Sequence, residues 1–391
     1  MNPSDLLPLL PEITLAIGGM VALMVGVFMS SEGAARRSLI VSLVVMVLAG
    51  IFLWSSGAHE SGALPFNGLL RQDGFGVFVK SLCLIGGGIS LLMGWQWLEA
   101  ESLGKFEIPV LVVFSILGMW LMVDANSLLS LYVGLELQSL CLFVLAAINR
   151  ENRESAEAGL KYFLLGALSS GLLLYGASLV YGTTGSLGFT EIAAFVKSVT
   201  TDPSALPISL LIGMILVISG LAFKISAVPF HMWTPDVYEG SPTPVTGFFA
   251  VAPKVAAMAL LVRILLGPFA EMQHAWHQII LLLTLLSMLL GAFAAITQSS
   301  IKRLLAYSSI ANMGYAMIGL TVGTSDGIAS LLLYLAIYAV MTIGAFGTIL
   351  LLRRGGVSLD RLSDLAGLGR HHPKTAFALA VFMFSMTGIP P

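Results

Sequence analysis

Lys224, Lys254 and Glu136 each stand near the middle of a segment apolar enough to cross a membrane. An ionised side chain at bilayer depth costs roughly 2.5–3.5 kcal/mol on insertion scales, so ionisable groups kept there are by default parts of a proton or ion path. Low dielectric drives both residue types toward neutrality, where a proton is gained or lost at modest cost. A Glu–Lys contact opposes this by holding both partners charged. If that contact can be made and broken, it is a switch. Glu136 and Lys224 are therefore read as the switching pair, with Lys254 as the next carrier. The competing use of such a pair is static, as an ion pair that fixes helix packing.

Several other residues can join this chemistry. Lys161 lies about one turn inside its segment. It can snorkel to the interface or tune Glu136 from the neighbouring helix. His231, in PFHMWTPD, is of the one side-chain type whose unperturbed titration falls near neutrality; it can relay protons or make a helix-end hydrogen bond. Tyr307, Ser308, Ser309 and Asn312 form a polar cluster that suits a water file or bonding between helices. Glu12, near the outer end of the first segment, reads as interfacial. His371 and His372 share a loop without metal-ligand spacing.

The elements that must position these groups follow from composition. Of 391 residues, 57% are hydrophobic and 10% charged, with a mean hydropathy of +0.94. Soluble domains carry about 25% charged residues. The chain therefore reads as an all-α, polytopic transmembrane helix bundle. Its net charge of −2 argues against nucleic-acid binding. Cys83 and Cys141 lie inside apolar segments and support neither a disulfide framework nor an iron–sulfur cluster. Neither GxGxxG after a strand nor a P-loop occurs, so the sequence offers no nucleotide site. MNPSD lacks the positive start of a cleaved signal peptide, so the first apolar stretch is read as a retained helix.

A span needs roughly 20 apolar residues. Twelve segments qualify, at about 5–29, 38–56, 74–98, 107–123, 127–149, 157–181, 206–238, 243–265, 276–299, 303–322, 327–352 and 374–391. Residues 189–199 (FTEIAAFVKSV) read as an amphipathic helix on the surface. With the N-terminus outside, the inner loops hold twelve lysines and arginines. The outer side then holds four, Arg71, Lys80, Lys197 and Arg263. This bias predicts a periplasmic N-terminus. The chain ends at GIPP inside an apolar segment, which reads as a piece of a longer protein.

Segment 206–238 is too long for a plain span and holds Ser226-Ala227-Val228-Pro229 near its centre. Proline removes a backbone donor and clashes with the preceding turn, so the helix should break near 226–228, just past Lys224. Broken backbone at membrane depth is tolerated only inside protein or along a hydrated cavity. The last segment repeats the pattern in Ser385-Met386-Thr387-Gly388-Ile389-Pro390. The two copies are five segments apart, and an odd offset points them in opposite directions, as in an inverted repeat with discontinuous helices.

These motifs carry a resemblance. LYVGLELQSL at 131–140, EAGLKYFLLGA at 157–167 and LAFKISAVPFHMWTPDVYEGSPTPVTGFFAVAPKVA at 221–256 resemble the antiporter-like membrane subunits of respiratory complex I. SIKRLLAYSSIANMGY at 300–315 and the closing SMTGIPP extend the match over nearly all of 70–391. Among the sister subunits, HMWTPDVYEGSPTP looks like the N type. The resemblance implies a proton-pumping, non-redox subunit of a bacterial NADH:quinone oxidoreductase in the inner membrane. NADH, FMN, iron–sulfur clusters and quinone are then expected in partner subunits, with no cofactor in this chain. It implies fourteen spans in the whole family member, with inverted repeats at spans four to eight and nine to thirteen. The corresponding division is 1–105 for three N-terminal helices, 106–265 for the first repeat and 276–391 for a truncated second one. By motif, Glu136 and Lys224 match the family's charge pair, Lys161 its modulating lysine and Lys254 its connecting lysine. The family's next lysine lies just beyond GIPP, where this sequence stops. Two other readings fit the buried charges. One is a cation/proton antiporter subunit. The other is a membrane scaffold whose charges only orient helices.

Overall fold

A computed structural model describes residues 7–29, 33–55, 64–200, 206–354 and 357–388. Its helices are α1 Leu10–Phe28, α2 Ala34–Ser55, α3 Gly74–Ala100, α4 Glu107–Val123, α5 Leu128–Ala146 and α6 Arg153–Thr184. They continue with α7 Phe189–Thr200, α8 Ile208–Lys224, α9 Trp233–Gly240, α10 Thr243–Leu266 and α11 Gln273–Ile296. The series closes with α12 Ile301–Val322, α13 Ser325–Leu350, α14 Leu368–His371 and α15 Pro373–Met386. Among the described residues the only paired strands are Arg353–Arg354 with Val357–Ser358, so the fold is all-α. Each of the twelve apolar segments corresponds to a helix or, for 206–238, to the pair α8 and α9. Eight of the described helices are long and apolar enough to cross a membrane, and α4, α8 and α15 are shorter apolar helices.

Helix starts follow from side-chain caps. Asp73 accepts from the Gly76 amide ahead of α3, and Ser127 from the Ser130 amide ahead of α5. Asn152 and Thr324 do the same for α6 and α13. Each satisfies a donor that the first turn leaves orphaned. The amphipathic segment forms α7, which buries Phe189, Ile192 and Val196.

Close helix contacts depend on small residues, because packing in lipid has little hydrophobic drive between helices. A Cβ on Gly118 would lie 2.5 Å from the Gln138 amide nitrogen, and one on Gly134 would lie 2.6 Å from that of Met122. These two glycines press α4 and α5 backbone to backbone. α10 is the axis of the bundle: 89% of its apolar window is buried, against 28% for the window ending in α11. A helix enclosed all round in this way exposes Lys254 to protein rather than lipid.

The structure corrects three placements. Lys80, counted with the outer-side charges, lies in the second turn of α3 and is 2% exposed, so it is a buried charge rather than a solvated one. Glu12 is 5% exposed and pairs with Lys80 at 2.5 Å, so it is not interfacial. Lys302, counted with the inner loops, lies in the first turn of α12, where its Nζ donates to the Ser241 carbonyl at 3.2 Å. In each case a partner distant in the chain makes burial tolerable, and the sequence neighbourhood does not show that partner. The terminal IPP at 389–391 lies outside the described residues.

Candidate functional site

α8 ends at Lys224, two residues before Ser226, which takes a left-handed φ of 62°. The Ser226 amide donates to the Phe223 carbonyl at 3.0 Å, and the Ala227 amide to the Ala222 carbonyl at 2.8 Å. This is a Schellman closure, in which the last carbonyls of the helix are taken up by the chain that follows. The Val228 amide donates to Ser287 Oγ of α11 at 2.9 Å, and Pro229 has no amide to place. The Trp233 indole donates to the Phe223 carbonyl at 3.0 Å, and Thr234 Oγ1 donates to Ser226 Oγ at 2.7 Å. Trp233 in turn stacks on Tyr162 of α6, with ring centres 4.5 Å apart and 8° between planes. The break therefore falls where the sequence puts it, and its polar groups are largely paired rather than left free. α15 ends in a related way, with left-handed Gly388 two residues after Met386.

Lys224 is buried at this break. Its Nζ donates to Ser139 Oγ at 2.8 Å and lies 5.6 Å and 5.9 Å from the ring centres of Phe223 and Phe143. Ser139 donates its own proton to the Leu135 carbonyl at 2.6 Å, which leaves its lone pairs for the lysine. Glu136 sits one turn before Ser139 on α5, partly buried, with Oε1 buried and unpartnered. Among the described residues Lys224 has no carboxylate within ion-pair distance, Glu136 included. The two members of the pair thus face the same stretch of α5 without touching.

Lys254 repeats the arrangement on α10. Its Nζ donates to Ser309 Oγ of α12 at 2.7 Å and lies 5.3 Å from the Tyr238 ring centre. Ser309 lies 2.6 Å from the Tyr338 hydroxyl of α13, and that hydroxyl donates to the Ala250 carbonyl at 2.7 Å. Because Tyr338 spends its one proton on Ala250, Ser309 must donate to Tyr338 and accept from Lys254. The result is an ordered file from Lys254 through Ser309 and Tyr338 to a backbone carbonyl. Beside it, Tyr334 donates to Asn312 Oδ1 at 2.6 Å, and Asn312 Nδ2 donates to the Ser308 carbonyl at 2.8 Å.

Lys161 is placed elsewhere. Its half-exposed Nζ binds Asp236 Oδ2 at 2.6 Å and Glu157 Oε1 at 2.8 Å. Asp236 Oδ1 accepts from Arg303 at 2.8 Å, and Arg303 also holds Glu239 at 3.0 Å. The structure does not bring Lys161 to Glu136 within ion-pair distance. His231 lies within the break, half-buried, with Nδ1 buried and unpartnered. The sequence reading missed Ser139, Tyr338 and Asp236. Asp236 stands in the quoted HMWTPDVYEG motif and was within reach, whereas nothing local marks Tyr338, 84 residues after Lys254 in the chain.

Comparison with known proteins agrees with this architecture. Residues 125–391 match the family described as NADH:quinone oxidoreductase/Mrp antiporter, TM. NADH-quinone oxidoreductase subunit N of Rhodospirillum rubrum is 53% identical over 385 residues, covering 98% of this chain and 78% of the relative. The subunit N of Parvibaculum lavamentivorans is 51% identical over 389 residues, covering 99% and 78%. Among solved structures, respiratory complex I from Thermus thermophilus with bound aureothin contains a chain that is 34% identical, with a TM-score of 0.78, over 98% of this chain and 79% of that one. The Mrp complex from Dietzia sp. contains a chain sharing the fold at a TM-score of 0.82 and 22% identity, over 100% and 72%. With more than half its length in the family match and its relatives near half identical, the chain belongs to the NADH:quinone oxidoreductase/Mrp antiporter membrane family, and within it to the subunit N group.

Proposed function

We propose that the chain is a proton-translocating, non-redox membrane subunit of a bacterial NADH:quinone oxidoreductase. The observation that carries this is the treatment of its two central lysines. Lys224 and Lys254 are buried, each on a single serine hydroxyl with aromatic rings alongside, and among the described residues neither has a counter-ion in contact. A structural lysine at such depth is normally paired. Here no ion pair has to be broken to discharge either one. Glu136 loads and unloads Lys224 by approaching and leaving it, and Lys254 passes the proton into the Ser309–Tyr338 file. His231 relays at the break. Lys161, bound to Glu157 and Asp236, modulates the entry side.

The remaining assignments belong to the same reading. The N-terminus faces the periplasm. Residues 1–105, 106–265 and 276–391 form the N-terminal helices, the first inverted repeat and part of the second. The related helix ends at Lys224–Ser226 and Met386–Gly388 support that division. Other membrane subunits are the partners, and the NADH, flavin, cluster and quinone chemistry lies outside this chain. The test is Glu136→Ala and Lys224→Ala in the assembled complex, read by NADH-driven proton uptake in proteoliposomes. Intact assembly with a large loss of pumping is expected. Full pumping by an assembled Lys224→Ala complex refutes the reading, and failure to assemble favours a scaffold.

A further inference from the structure

Three ionisable side chains outside this file meet at the other end of the N-terminal helices. Glu12 comes from the first turn of α1, Lys80 from the second turn of α3, and Asp124 caps the end of α4. Their side chains are 6%, 2% and 1% exposed. Lys80 Nζ donates to Glu12 Oε1 at 2.5 Å and to Asp124 Oδ2. It also lies 5.6 Å from the Trp120 ring centre, and the Trp120 indole donates to the Lys80 carbonyl at 3.1 Å. The second oxygen of each carboxyl group, Glu12 Oε2 and Asp124 Oδ1, is buried without a partner among the described residues.

The charge count of this cluster is uneven. With all three ionised, one ammonium faces two carboxylates, and the nearest further cation, Arg263, is shared with Asp73, so the buried group keeps an excess of negative charge that burial disfavours. A single proton on either carboxyl removes that excess. The two bare oxygens are the atoms that can carry it.

An open pocket lies on the far side of the Asp73–Arg263 pair from the cluster. A Cβ on Gly76 would lie 3.0 Å from Asp124 Oδ1, 3.2 Å from Arg263 Nη2 and 3.4 Å from Asp73 Oδ1. The missing side chain thus leaves the bare Asp124 oxygen facing the Asp73–Arg263 pair, whose bonds are 2.6 Å and 3.0 Å long. Arg71 holds the far side of Asp73 at 3.2 Å. Arg71 and Arg263 also line an open pocket of about 330 Å³ together with Asn126 and Thr190.

We propose that Glu12, Lys80 and Asp124 form a proton-binding site that holds one exchangeable proton between the two carboxyls and loads past Gly76. In loading, a hydronium ion gives its proton to a bare carboxylate oxygen, a new O–H bond forms, and water leaves. Unloading is the reverse. Lys80 stays an ammonium ion throughout and sets the distance between the two acids. The site shares no residue with Glu136, Lys224 or Lys254 and stands whether or not those residues pump.

The test is infrared difference spectroscopy on the purified membrane assembly containing the chain, stepped in pH in light and heavy water. A protonated-carboxyl band should grow on acidification and shift in heavy water. Glu12→Gln and Asp124→Asn each leave one carboxylate facing Lys80, a neutral pair with no need of a proton, so the band should vanish in both. Gly76→Ala keeps all three groups, and hydrogen–deuterium exchange of its band should slow severalfold. A band that is absent from the unmodified protein, constant with pH or unaltered in both amide variants overturns the site. Should the amide variants fail to assemble, Glu12→Asp and Asp124→Glu, which keep both acids, should each shift the band, and a band unmoved in both overturns the site. Unchanged exchange in Gly76→Ala overturns the loading route.

Discussion

Tyr338→Phe separates a relay from a packing contact. The ring is buried and is retained, so the substitution deletes only the hydroxyl that bridges Ser309 at 2.6 Å and the Ala250 carbonyl at 2.7 Å. Two neutral hydrogen bonds are worth about 0.5–1.5 kcal/mol each, so the loss in stability is about 1–3 kcal/mol and the assembly should survive. Proton transfer is affected far more. A positioned acid–base group contributes roughly 10²–10⁴-fold to a transfer step. If the file beyond Lys254 carries protons, NADH-driven pumping through the assembled complex should fall by about 10²-fold or more. The assay is quenching of a pH-sensitive dye in proteoliposomes, with subunit content checked on the same preparation. Ser309→Ala should give a similar loss, and the double variant should be no worse than either single one, because both interrupt one series of transfers. Full pumping in an assembled Tyr338→Phe complex, or losses that multiply in the double variant, would refute the file.

Two further expectations concern the frame around these residues. Gly118→Ala would place a Cβ 2.5 Å from the Gln138 amide nitrogen, so α4 and α5 must part, at an overpacking cost of about 1–3 kcal/mol. A lower melting temperature of the purified protein checks this, and an unchanged one refutes the close contact. Burial pushes the Asp73 carboxyl up, but the bonds and charge of Arg263, the Gly76 amide and Arg71 outweigh it and hold Asp73 below its ordinary value of 3.8. The stability it contributes is therefore present above that value and lost as pH falls through the lowered one. Asp73→Asn should reduce thermal stability at neutral pH and flatten its decline in acid, as read from melting temperature against pH.

Much of the fold was legible because lipid imposes it. The apolar segments had to be helices, since spanning backbone must satisfy itself, and all twelve correspond to described helices. Pro229 announced the break after Lys224, because a missing amide cannot be supplied from elsewhere in the chain. The central charges stood out for the same reason, as groups whose burial is costly. The contacts of those groups were not legible. Ser139 and Tyr338 are ordinary helix residues in sequence, Ser309 stood out only as part of a polar cluster with no sign of its link to Lys254, and Lys80 looked like one more charge near a span end.

The sequence by itself determined the membrane class, the positions of the apolar helical segments, the position of the break and the identity of the central ionisable groups. Only the tertiary structure decided that Lys224 and Lys254 rest on hydroxyls rather than carboxylates, and that Lys161 is held by Asp236. It alone collected Glu12, Lys80 and Asp124 into one buried cluster. Apolar length and proline act locally along the chain, so they can be read in order. The charge balance around a side chain is summed over whichever helices pack beside it, and that sum exists only once the bundle has formed.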